Sequence, residues 1–102
     1  MAQIDTYRSN MARKRDELAK LSTSKSKETS KIPALNSKIA SARRSISQTK
    51  SASTVKSKMG EIERATKALS DIDKSVADID KKIATKEKEY AAEEKKYRQE
   101  ED

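Results

Sequence analysis

The side chains best equipped for chemistry are carboxylates set close together: Asp71 and Asp73, Asp78 and Asp80, Glu93 and Glu94. Such pairs can divide general acid and base roles when a fold buries them side by side. On a helix, however, neighbours one or two positions apart diverge, so these pairs decorate solvated faces. Histidine and cysteine are absent. Their absence removes the commonest general base, thiolate chemistry and the two commonest ligands of a transition metal. With Gly60 as the single glycine, no glycine-rich phosphate loop can form. No catalytic, cofactor-binding or metal-binding residue is expected, and no enzyme activity in this chain.

Basic and aromatic strings offer binding instead. ARKRDELAK (12–20) and SARRS (41–45) are basic enough to lie along phosphates, which makes a nucleic-acid-binding hairpin one alternative. The competing reading is a solvated face, because acids are interspersed and no aromatics stand ready to stack on bases. YAAEE (90–94) and YRQEE (97–101) fit the Tyr-x-x-x-Asp/Glu pattern of small helical-hairpin type VII secretion substrates, a second alternative. The Trp-x-Gly turn of those substrates is missing, and Tyr90 and Tyr97 also sit one heptad apart as seam residues would.

The elements that carry these residues follow from composition and period. The chain has 102 residues, 40% charged and 32% hydrophobic, with three tyrosines as its aromatics. That is too little apolar volume for a compact core, which leaves a disordered polar chain or long helices meeting along a narrow seam. Alternate steps of three and four from Ile4 reach Tyr7, Met11, Lys14, Leu18, Leu21, Lys25, Glu28, Ile32, Leu35, Ile39, Ala42, Ile46 and Thr49. In the second half Val55, Ile62, Leu69, Val76, Ile83, Tyr90 and Tyr97 recur every seven residues, with Ala65, Ile72 and Ile79 between them. A disordered chain has no reason to keep such a phase, so helices are expected.

The two registers are out of step by two residues. That shift swings an apolar stripe by about 200° at roughly 100° per residue. One straight helix would then need partners on opposite sides of its halves, and a reversal removes the conflict. The reversal falls where six of the ten residues 45–54 are Ser or Thr, types that favour caps and turns over helix interiors. Ser51, Ser53 or Thr54 could cap the second helix. The expected fold is all-α: a single antiparallel two-helix coiled-coil hairpin domain over 1–102. Arm 1 covers about 3–49, the turn 50–54 and arm 2 about 55–100. Pro33 and the Ser/Thr/Lys-rich run before it predict a kink or frayed segment near 22–33, or a split into two helices.

Charge is lopsided as well. Residues 1–51 hold 12 Lys/Arg and 4 Asp/Glu, while residues 52–102 hold 12 and 13. Opposite flanks of the arms can attract, each exposed pair contributing about 0.3–0.5 kcal/mol.

At the corner the sequence resembles a known family. Ser45-Ile46, Thr49, Ser51, Ser53-Thr54-Val55-Lys56, Lys58 and Glu61-Ile62, followed by a lysine- and aspartate-rich heptad helix, are similar to the N-terminal coiled-coil region of bacterial TIR-domain proteins. The match runs over about 39–101. The resemblance implies an assembly element for an NAD-consuming, antiphage-type effector, activated by self-association. The chain has no TIR-like βα alternation, so any such activity would reside in another domain or partner, and the chain would be a detached domain or a fragment.

Self-association is therefore the expected function, as a homodimer forming a four-helix bundle, because pairing two thin-seamed hairpins roughly doubles the burial. The association seam is expected to comprise Ile32, Leu35, Ile39, Ile46, Val55, Ile62, Leu69, Ile72, Val76, Ile79, Ile83 and Tyr90. Lys14, Lys25 and Glu28 would set register or partner choice at a cost in stability. With no apolar run long enough to span a bilayer and no signal-peptide pattern, a cytoplasmic protein without a membrane partner is expected.

Overall fold

In the computed structural model, which describes residues 2–101, the chain is all-α and forms a helical hairpin. Three helices make it: α1 (Ala2–Thr29), α2 (Ile32–Gln48) and α3 (Ala52–Glu101). No strand occurs among the described residues. The chain reverses between α2 and α3, as the two-residue slip between the registers requires.

The reversal is built from hydroxyls. Thr49 leaves the helix in an extended conformation (φ −101°, ψ 151°), and its N–H donates to the Ser45 carbonyl at 3.1 Å. Thr49 Oγ1 accepts from the Ser51 N–H at 3.1 Å, and Ser51 Oγ accepts from the Thr54 N–H at 3.3 Å. Ser51 is thus the N-cap of α3, satisfying one of the donors a helix start leaves orphaned. No described residue has a positive φ, so the corner does not need the glycine that a left-handed turn would demand. Helix α3 begins at Ala52, inside the stretch 50–54 expected to turn, because the cap sits at Ser51.

The first arm divides in two. Residues 22–29 are helical, and the interruption is confined to Ser30 and Lys31. Pro33, second residue of α2, has no N–H to give to the carbonyl four residues earlier, so the α1 ladder stops there. Lys31 keeps a right-handed helical conformation (φ −80°, ψ −18°). Its N–H reaches the Glu28 carbonyl at 3.2 Å, and its own carbonyl accepts from Leu35 at 3.3 Å.

Contacts gather into two compact units, each an antiparallel pairing with part of α3. Unit 1 joins residues 1–26 to 77–102, and unit 2 spans 27–76. The described side chains classed as buried are Ala42, Ala65, Ile72 and Ile79. Ala42, Ala65 and Ile72 belong to unit 2, and Ile79 to unit 1.

Candidate association surface

The twelve seam positions lie in the protected rows of the hairpin. Ile72 and Ile79 are buried, while Ile32, Leu35, Ile39, Ile46, Val55, Ile62, Leu69, Val76, Ile83 and Tyr90 are half-buried. Much of the apolar stripe is therefore used within one chain. What a partner could cover is the part left partly open.

In unit 2 that opening is a groove along α2 and α3. Two adjoining concavities, about 540 and 500 Å³, share Leu35, Lys38 and Ala68. Ala65 and Ile72 complete the apolar floor. The groove exists because alanine lines it where a larger side chain would fill the space. Its edges are charged: Glu61 and Arg64 toward the α2–α3 corner, Glu28, Lys31 and Asp71 at the other end. Glu28 is paired with Lys31, across the break between α1 and α2, at 3.2 Å and Glu61 with Lys58 along α3 at 3.4 Å. Lys38, Arg64 and Asp71 make no ion pair among the described residues. Arg64 lies back along its own helix, its Nη1 3.4 Å from where a Cβ on Gly60 would sit.

A separate apolar patch lies on α3 beside the corner. Met59 is 59% exposed, and with Val55 and Ile62 it borders a concavity of about 660 Å³.

Unit 1 is laced by polar rungs that periodicity alone does not reveal. Arg8 Nη2 donates to the Tyr97 hydroxyl at 3.3 Å, and Arg15 Nη2 to the Tyr90 hydroxyl at 2.9 Å. In both, the guanidinium carbon is 5.6 Å from the ring centroid, within cation–π reach. The rungs are seven residues apart on each helix, so one heptad repeats the same device. Tyr90 raises the pKa of Arg15 further by accepting its hydrogen bond.

Beyond these rungs, Asn10 donates to Glu93 at 3.3 Å, and Lys14 Nζ reaches both Glu89 oxygens at 2.9 and 3.3 Å. Lys86 lies 2.8 Å from Glu17 Oε2, an oxygen shut off from solvent whose contact with the ammonium is an ion pair without hydrogen-bond alignment. Lys86 holds Glu17 below the usual carboxylate range, and Lys14 does the same for Glu89. In return, Glu17 raises Lys86. Lys25 meets Asp80 at 2.9 Å.

The charged seam positions thus find partners: Lys14 and Lys25 across the pairing, Glu28 three residues along the chain at Lys31. Arg8, Arg15, Glu17 and Glu89 were not singled out from sequence. Their signal was positional, since each flanks a seam residue, but the partner can be assigned only once the corner is placed.

No group of three or more acidic side chains placed to hold a metal ion occurs among the described residues, and no described helix is long and apolar enough to cross a membrane. The acid pairs Asp71/Asp73 and Asp78/Asp80 are exposed, and Glu93/Glu94 are half-buried. No family model matches the chain, and neither a curated protein nor a solved structure matches it.

Proposed function

We propose that the chain is a non-catalytic self-association domain that pairs as a homodimer, two hairpins completing a four-helix bundle. The observation that carries this reading is the incomplete burial of the seam. Large aliphatic residues such as Leu35, Ile39, Ile62 and Leu69 stay half-buried within one chain. Covering them removes more apolar surface from water, at roughly 25 cal/mol per Å². Antiparallel helix pairs are the natural halves of such bundles. The likeness to the N-terminal region of TIR-domain proteins extends the reading: assembly here would bring NAD-consuming effector domains together in the cytoplasm.

Sedimentation equilibrium tests the proposal. The expected mass is twice the 11.4 kDa of the chain, and Leu35→Asp or Leu69→Asp should reduce both helicity and mass. A single-chain mass throughout the micromolar range would overturn it.

One observation favours a second reading, a nucleic-acid-binding hairpin. Residues 27–76 hold 11 Lys/Arg against 5 Asp/Glu, a net of +6, while the remainder of the chain holds 13 against 12. A monomer that binds duplex DNA with steep salt dependence would establish that reading instead.

A further inference from the structure

The unit 2 groove carries a charge arrangement complementary to itself. Arg64 and Asp71 are seven residues apart, so they project from the same side of α3, and Ala68 stands between them at the middle of the groove. Both are exposed, they are opposite in sign, and neither makes an ion pair within the described residues. Glu61 and Lys74 extend the pattern by one turn on either side, acid beyond the base and base beyond the acid.

We infer that a second copy of this chain docks on this groove, with its α3 antiparallel to the first α3 across a two-fold axis passing by Ala68. The inference rests on the self-association proposed above and adds the face and the direction. A two-fold axis lying across the helices sets each Arg64 against the second copy's Asp71, and each Glu61 near its Lys74. It also stacks Ala68 near Ala68, where small side chains let two helices approach closely.

The other face-to-face two-fold axis, running along the helices, lays α2 over the second copy's α3. Lys38 and Arg64 line one concavity and Lys31 and Asp71 the other, so that arrangement sets like charge against like at Arg64 and leaves the Arg64–Asp71 match unused. The chosen axis passes close to Lys38, which lines both concavities beside Ala68, and brings it toward its own copy. The choice of axis therefore rests on the Arg64–Asp71 and Glu61–Lys74 matches. Leu35, Ala65 and Ile72 then lie beneath the second copy as a dry floor with a charged rim, the usual anatomy of a specific interface. An isologous contact of this kind closes at two copies.

Charge reversal with rescue tests the arrangement. Arg64→Asp and Asp71→Arg should each weaken dimerisation about tenfold or more by setting like charges together. The double variant carrying both changes should recover most of the loss. Far-UV circular dichroism monitors folding, and both sites are exposed, so helicity should hold in all three proteins.

Direction is read separately, because the natural chain has no cysteine. When Arg64→Cys and Asp71→Cys chains are mixed and oxidised, the mixed disulfide should predominate over either self-disulfide. If the chain dimerises but the double variant fails to recover, or self-disulfides predominate, the face or direction is overturned while self-association stands. If the unaltered chain is monomeric, both readings fall together.

Discussion

Unit 1 and unit 2 pair the same kind of helix on the same heptad period, and they hold it by different chemistry. In unit 1 every cross-helix contact described above is polar: two arginine–tyrosine rungs, three ion pairs and one amide–carboxylate bond. In unit 2 the ion pairs among the described residues join residues three apart in the chain, and the pairing rests on Ala42, Ala65 and Ile72. Long side chains at the seam, such as Lys14, Lys86, Tyr90 and Tyr97, leave room for polar groups to meet across it. Alanine at the seam draws the helices together and turns charges outward. The cross-helix ion pairs thus gather in unit 1, and the groove edged by Lys38, Arg64 and Asp71 lies in unit 2.

The largest expected effect comes from breaking the dry side. Ile72→Ala removes a 5%-exposed side chain from unit 2, and such truncations cost about 2–5 kcal/mol. Hydrogen exchange should show protection collapsing over 27–76. Equal loss over 1–26 and 77–101 alone would invert the contrast.

Next comes the corner. Ser51→Ala removes the α3 cap and should cost about 1 kcal/mol, measured by urea denaturation, with Ser51→Asp retaining most of it. A neutral Ser51→Ala would show that the corner is held by its other hydroxyls.

The arginine–tyrosine rungs are smaller. A double-mutant cycle between Arg15 and Tyr90 should give a coupling of about 0.5–1 kcal/mol, as for exposed cation–π pairs. Zero coupling would reduce these rungs to solvated neighbours.

The smallest effect sharpens the comparison by pH. Glu17 and Glu89 titrate lower in the folded chain than in the unfolded one. Their contribution is therefore complete above the unfolded carboxylate value and lost as pH falls through the lowered folded value. Lys86, raised by Glu17, contributes fully below the unfolded lysine value and loses its contribution as pH rises through the raised one. Exchange protection in unit 1 should therefore loosen at the acid edge of the carboxylate range. If residues 27–76 loosened first on acidification, the ion pairs would not be what distinguishes the units.

Much of the fold was legible because helices report their buried face in a period. All fourteen positions reached from Ile4 to Thr49 are at least half-protected, as are Val55, Ile62, Leu69, Val76, Ile83, Tyr90 and Tyr97. The slip of two residues at the serine–threonine corner likewise required a reversal without any glycine to announce it. Harder to read was the α3 start at Ala52, since its cap is set by individual hydrogen bonds rather than by period.

Sequence by itself determined that the chain is helical, that it folds back, and which rows of side chains turn inward. Each of these depends on the spacing of residues along the chain. Tertiary structure alone decided that Arg8 meets Tyr97, that Lys86 meets Glu17, and that Ala65 and Ala68 leave a groove between charged edges. Those facts depend on which residues from distant segments arrive at the same level, and that level is set by the hydrogen bonds of one corner.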